Sequence, residues 1–165
     1  MYIYLVRHAI AVEHGTPGYK DSDRPLTEEG IERMQKAARG LAHFIDPPDL
    51  IVSSPYLRAK QTAEILAVAL QSRDGITEWP MLTPASAPTG VFANLNENSS
   101  TTNSVMLVGH EPHISRLTAL LLGTKSDAIR FKKGAVCALE CPAHLVPGCA
   151  ELQWFLTPKQ LRRLA

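Results

Sequence analysis

The sequence is short of several things, and each shortage excludes something. It has three cysteines in 165 residues, Cys137, Cys141 and Cys149, all toward the C-terminal end. An odd number with no partner elsewhere in the chain makes a poor disulfide framework. Cys137 and Cys141 have no second Cys/His pair at zinc spacing, so no metal is expected. Reduced thiols point to a cytoplasmic protein. No apolar run approaches the ~18 residues of a membrane span. The longest, ILAVAL (Ile65 to Leu70) and LTALLL (Leu117 to Leu122), are of core-helix length. The opening MYIYLVRHA has neither a basic leader nor a small-residue cleavage site, so no signal peptide is expected. Net charge is nearly absent too: 17 basic residues face 16 acidic ones, giving +1. That argues against a nucleic-acid or membrane-surface role driven by bulk charge. It leaves room for a small, locally positive pocket.

What is present is the composition of an ordinary globular protein, 45% hydrophobic and 20% charged. A chain of this length suits one domain, taken as residues 1–165, and buries roughly 70% of its unfolded surface. Tyr2 to Val6 reads as a short buried strand that ends in Arg7-His8. Residues 13–25 have loop composition. Thr27 is a good N-cap for a helix whose apolar face is Ile31, Met34, Ala38, Leu41 and Ile45, stopped by Pro47-Pro48. Leu50 to Val52 is a second strand. Ser53-Ser54-Pro55 reads as a helix start, with serine as cap and proline at the first helical position. Ala59, Ala63, Leu66, Ala67 and Leu70 form that helix's buried stripe.

Residues 71–104 are less legible. Thr77 to Trp79 is a candidate strand, 89–95 a short helix, and Asn96 to Ser104 an exposed loop. Val105 to Val108 is a strand ending at Gly109-His110. Pro112 begins a helix with Ile114, Leu117, Thr118 and Leu121 on one face and Gly123 at its stop. Ala135 to Leu139 and Glu151 to Leu156 are two late strands, and Thr157-Pro158 caps a last helix. Strands alternating with helices imply an α/β sandwich around a largely parallel sheet, with ligands at the carboxyl ends of the strands.

At that edge the residue types become informative. The first strand ends in Arg7-His8, the second leads into a helix carrying Arg58 in its first turns, and another strand ends in Gly109-His110. Two arginines and two histidines then converge. The arginine fork matches phosphate oxygens and stays charged. Helix starts near Ser54 and Pro112 add backbone N–H donors. Histidine donates hydrogen bonds or acts as a nucleophile. Each residue alone has an ordinary structural explanation; four at equivalent topological positions describe an anion site.

These blocks resemble a known family. YLVRHA, DRPLTEEG (Asp23 to Gly30), SSPYLRAKQTAEIL (Ser53 to Leu66) and LVGHEP (Leu107 to Pro112) match, in order, the motifs of the histidine phosphatase, or phosphoglycerate mutase-like, superfamily. The short chain, RHA in place of RHG, and the RPLT block are similar to the SixA-type phosphohistidine phosphatases. The resemblance implies a three-layer α/β/α sandwich with a mostly parallel central sheet. It implies that His8 is a nucleophile that becomes phosphorylated, and that Arg7, Arg58 and His110 clamp phosphate. Arg24, in the RPLT block, either lines the mouth of the site or pairs with Asp21 or Asp23. Ser53 either caps its helix or bonds near phosphate. His14, His43, His113 and His144 read as surface or packing residues.

No cofactor is implied, since the arginines supply the positive charge. The expected partner is a protein bearing phosphohistidine, such as a phosphotransfer domain, met by a monomer, with no nucleic acid and no membrane. The loop at 13–25 could shape access for it. Relatives that cleave alkyl phosphates place a glutamate after the middle strand to protonate the leaving group. Here that region reads EWPMLTP, with Met81 where an acid can stand and Glu78 three residues earlier. Glu111, Asp23 and Glu13 are weaker candidates. A missing acid favours phosphohistidine, whose imidazole can leave in protonated form. The alternatives are a broad phosphatase for small metabolites and a silent phosphate-binding module.

Overall fold

The computed structural model describes residues 1–73, 75–98, 102–125 and 128–165. β1 (Tyr2–Arg7) runs through the interior, and its alternating side chains feed two cores. Tyr4 and Val6 pack on one side of the sheet, Ile3 and Leu5 on the other. That is the period-2 rule applied to a strand buried on both faces. Beside it lie β2 (Leu50–Ser53), β3 (Ile76–Glu78), β4 (Ser104–Gly109), β5 (Val136–Glu140) and β6 (Glu151–Leu156). Their order across the sheet is β3-β2-β4-β1-β5-β6. The first four strands are parallel, while β5 and β6 join antiparallel.

One face is covered by α1 (Glu28–Ala42), α2 (Leu57–Leu70) and α5 (Pro158–Leu164), through Met34, Leu41, Ala63, Leu66 and Leu161. The other is covered by α3 (Thr89–Asn98) and α4 (His113–Leu122), through Val91, Leu95, Ile114, Leu117 and Leu121. The three-layer arrangement and mostly parallel sheet expected from the sequence are therefore present. Among the described residues, no helix is long and apolar enough to cross a membrane. All three cysteines are free thiols.

Four local expectations need correction. α1 ends at Ala42, short of Ile45; Phe44 and Ile45 turn back to hydrogen-bond the Leu41 carbonyl. The prolines at 47 and 48 disfavour helix in the residues before them, so the stop begins early. α2 starts at Leu57, two residues after Pro55, and its N-cap Tyr56 makes no side-chain capping bond. The Ser53 hydroxyl turns away from it, and the Ser54 hydroxyl accepts the N–H of Tyr56 itself, at 3.3 Å, not one inside the helix. β3 begins one residue earlier than expected, at Ile76. Finally, helix α3 continues into the polar run to Asn98. Val91 and Leu95, four apart, anchor it in the core. Asn96 bonds the Leu145 backbone in both directions, at 3.2 and 2.7 Å. Of the loop expected at 96–104, residues 99–101 lie outside the described residues.

Two helix glycines are required by close approach. A Cβ on Gly30 would collide with the Ile10 carbonyl, and one on Gly40 with the Leu161 carbonyl. The first seats α1 against the chain that follows β1. The second seats α1 on α5.

Candidate active site

Strand register brings the site together. Arg7 is level with Gly109 across β1–β4, and Ser53 is level with Val108 across β2–β4. The ladders run one step past these pairs. His8 N–H donates to the Gly109 carbonyl at 3.0 Å, and Ser54 N–H donates to Val108 at 2.9 Å. His8, Ser54 and His110 are thus the first residues beyond three adjacent parallel strands.

His8 is buried, 7% exposed, and its tautomer follows from its partners. Its Nδ1 lies 2.7 Å from the Ala9 carbonyl, which can only accept, so Nδ1 carries the proton. Its Nε2 receives the Arg58 Nε–H at 3.3 Å, so Nε2 holds the lone pair. Burial lowers the imidazole pKa to about 3; the Ala9 bond opposes this, and the charges of Arg58, Arg7 and Lys133 add to it. The ring is therefore neutral at physiological pH.

His110 stands 5.0 Å from His8 between ring centroids. Its Nε2 is 2.8 Å from the Ser54 hydroxyl, while its buried Nδ1 has no partner among the described residues. Burial, followed by the positive fields of His8, Arg58 and their neighbours, lowers its pKa to about 2.

Arg58 is the most heavily bound of these side chains. Beyond its bond to His8, its Nη1 donates to the Asp21 carbonyl at 2.6 Å and its Nη2 approaches Asp21 Oδ2 at 3.4 Å. Arg24 reaches the same carboxylate at Oδ1, from Nε at 2.9 Å and Nη2 at 2.6 Å, and also bonds the Val12 carbonyl. Burial pulls the Asp21 carboxyl upward. Hydrogen bonding from Arg24 and the charges of both arginines outweigh it, leaving the pKa below the ordinary value. Arg24 is therefore the partner of Asp21, the plainer of its two expected roles, and it stands behind Arg58.

Arg7 is bound more sparsely. Its Nη1 donates to the Phe131 carbonyl at 2.6 Å, and its buried Nε has no partner among the described residues. Phe131 is held in turn by Glu111, whose Oε1 accepts from the Phe131 N–H at 2.9 Å and from Ser115 at 2.6 Å. Glu111 thus props Arg7 through the backbone of one residue, Phe131. Glu78, exposed at the end of β3 and level with Ser53, is paired with Lys60 of α2 at 2.7 Å. Met81 accepts the Asn94 amide on its sulfur at 3.2 Å.

The structure brings Arg7, His8, Arg58 and His110 to one sheet edge. Ser53 does not cap α2: its hydroxyl turns to the Ser54 carbonyl at 2.8 Å. His113 is fully buried, as a packing residue. Sequence reasoning missed three residues that shape the site and half the role of a fourth. Asp21, expected only as a partner of Arg24, joins the two arginines. Ser54 bonds His110 and also accepts the N–H of Tyr56, the N-cap of α2, at 3.3 Å. Tyr56 lies 5.1 Å from the His110 ring and 5.0 Å beneath the Arg58 guanidinium, a cation–π contact. Thr62 accepts from the Ala9 N–H at 3.1 Å and donates to the Arg58 carbonyl at 2.6 Å, tying the His8 turn to α2. Only Thr62 carried a signal, a hydroxyl within an apolar helical stripe, four residues after Arg58.

Comparison with known proteins agrees with this geometry. The family model of the histidine phosphatase superfamily (branch 1) matches residues 3–83. An uncharacterised protein of Picosynechococcus is 30% identical, covering 98% of this chain and 99% of that one. The chain belongs to the histidine phosphatase superfamily. Within it the likeness is to SixA-type members. The phosphohistidine phosphatase SixA of Escherichia coli is 26% identical, covering 98% of this chain and 97% of its own. A solved structure of the protein histidine phosphatase SixA, complexed with tungstate, superposes with a TM-score of 0.87 at 26% identity. It covers 98% of this chain and 99% of that one. The alpha-ribazole phosphatase of Shigella flexneri shares the fold at 18% identity, with a TM-score of 0.68 over 96% of this chain and 97% of its own.

Proposed function

We propose that this histidine phosphatase removes phosphate from phosphohistidine on proteins, through a phosphorylated His8. The observation that carries the reading is the His8 ring itself. Its Nδ1 proton is fixed on the Ala9 carbonyl, and its Nε2 lone pair is left as the nucleophile beside Arg58. A neutral, oriented imidazole next to buried cations is what in-line attack on a phosphoryl dianion requires.

In the first step, the His8 Nε2–P bond forms while the P–N bond of the substrate breaks, and the departing imidazole takes a proton from solvent. In the second, a water oxygen attacks phosphorus and the Nε2–P bond breaks. Phosphate is released, the water's proton is lost, and neutral His8 returns. Arg7, Arg58 and His110 hold the equatorial oxygens and offset their charge. Each terminal nitrogen of Arg58 has a second N–H beyond its Asp21 bond. The likeness to SixA, solved with a tetrahedral oxyanion, supports an oxyanion at this edge.

The leaving group separates this reading from a broad phosphatase for small esters. A positioned acid contributes about 10²–10⁴-fold to alkoxide departure. Glu78 is paired with Lys60 and Glu111 with Ser115 and Phe131. Neither supports that role, so the site suits a leaving group that is itself easily protonated. Faster turnover of sugar phosphates than of phosphohistidine would reverse the assignment.

The direct test is to trap the intermediate. Wild type exposed to ³²P-labelled phosphohistidine and denatured in alkali, where phosphohistidine survives, should carry label. His8→Ala should carry none and lose at least about 10³-fold in turnover, as removal of a nucleophile does. Full activity in His8→Ala would overturn the proposal.

A further inference from the structure

A cleft of about 480 Å³ opens between the first turns of α1, the chain before β5, and α5. Six cationic residues line it: Arg7, Arg33, Lys132, Lys133, Lys159 and Arg162. No Asp or Glu does. In a chain with 17 basic and 16 acidic residues, an average cleft would show both signs. Arg33 is answered from outside by Glu29 at 2.5 Å. Among the described residues, Lys132, Lys133, Lys159 and Arg162 have no ion-pair partner. Like charges gathered in one concavity repel each other and focus a positive field there.

The cleft adjoins the turn that carries His8. Arg7 lines it and directly precedes His8, and Ala9, whose carbonyl holds the His8 proton, lines it too. Gly134 ties its wall to the same turn, donating to the Arg7 and His8 carbonyls at 3.0 and 3.2 Å. Between the charges the lining is aliphatic, with Ile10, Met34 and Ala37. No aromatic residue lines it, so it offers no platform for stacked bases. Charge with an aliphatic floor fits a polypeptide better than a single-stranded nucleic acid.

We propose that this cleft docks an acidic segment of the protein that presents the phosphohistidine. The inference rests on the proposed activity for its substrate, but its binding can be tested separately. Such a contact would steer association and lower KM without touching the chemistry.

The test uses the full chain with Lys159→Glu/Arg162→Glu, both on α5 and away from His8. The probe is a fluorescein-labelled peptide rich in Asp and Glu, followed by anisotropy. Wild type should bind it in a salt-dependent way, and the variant should bind at least about 10-fold more weakly. With phosphohistidine placed in that peptide, KM should rise about as much while kcat holds, and turnover of free phosphohistidine should not change. Lys132→Gln/Lys159→Gln, milder in charge, gives the same comparison if the first variant does not fold.

Unchanged peptide binding would overturn the docking inference. So would an equal loss on free phosphohistidine, or tighter binding of an oligonucleotide than of the peptide. Peptide binding that is lost in the variant, together with no phosphohistidine turnover in wild type, would uphold the cleft and overturn the activity.

Discussion

On the α2 side of the site, Arg58 is bound through all three of its nitrogens, to His8 and to Asp21. On the β5 side, Arg7 makes one bond, to Phe131, and leaves its buried Nε without a partner. The α2 side is a finished wall: Arg58 orients His8, Asp21 orients Arg58, and Arg24 backs Asp21. The β5 side borders a cleft with no acid in its lining among the described residues. A buried donor left unpaired costs about 1–3 kcal/mol, and an anion against Arg7 would remove that cost. One side therefore fixes geometry in advance, while the other keeps attraction in reserve.

The largest effects should come from making the two arginines fail separately. Arg58→Gln removes a phosphate donor, the bond to His8 Nε2 and the tie to Asp21. It should lower kcat/KM about 10³-fold and cost about 1–3 kcal/mol of stability. Arg7→Gln should lower kcat/KM about 10²-fold, with little loss of melting temperature, because a poorly satisfied group is removed. Steady-state kinetics and thermal melts of the two variants read both quantities. A greater loss of stability in Arg7→Gln would break the comparison.

The β5 side was the more legible of the two in the sequence. Arg7, His8 and His110 sit directly at strand ends, where β-branched runs stop at polar residues, and short-range pattern is enough to find them. Arg58 was legible one step further, through a helix start. Its support was not. Asp21 lies in a loop whose Gly, Pro and Asp content shows that the chain turns and offers the carboxylate to Arg24, three residues on, but not to Arg58. That it returns under α2, some 37 residues away in sequence, depends on tertiary packing. Ser54 was misread for a related reason. Ser-Ser-Pro is a good local helix start, but the Ser54 hydroxyl bonds His110 and reaches α2 only at the N–H of its N-cap, Tyr56. The extension of α3 was hidden because Asn96 looks like a loop former until Leu145 arrives to satisfy it.

Asp21→Asn tests whether the wall depends on charge or only on shape. The amide keeps an oxygen for Arg24 and leaves the backbone carbonyl that Arg58 uses. What is lost is the negative charge between two cations. The Asp21 side chain is 35% exposed, so solvent screens part of that loss. A fall in kcat/KM of about 5-fold is expected, or about 1 kcal/mol, carried more by KM than kcat. A loss as large as that of Arg58→Gln would mean that Asp21, not Arg58, sets the geometry.

The smallest effect separates the histidines from the carboxylates by pH. His8 and His110 are held neutral, with pKa values of about 3 and about 2, whereas an unfolded chain protonates its histidines near 6.5. As pH falls below 6.5 the unfolded state takes up protons that the folded state refuses. Stability therefore falls with pH in that range. It is fully present above about 6.5 and is lost progressively toward the folded-state values. At pH 6 the loss is somewhat under about 1 kcal/mol for each histidine. Asp21, whose pKa is depressed, contributes in the same direction, but only as pH drops through the carboxylate range below about 4. Melting temperatures between pH 7.5 and 5 thus read the histidines alone. They should be level at the upper end and decline below about 6.5, with a shallower decline in His110→Gln. An unchanged slope in that variant would show that His110 is not held neutral. The β4 end of the site would then lose its place beside His8 as a second imidazole kept free of protons by burial among cations.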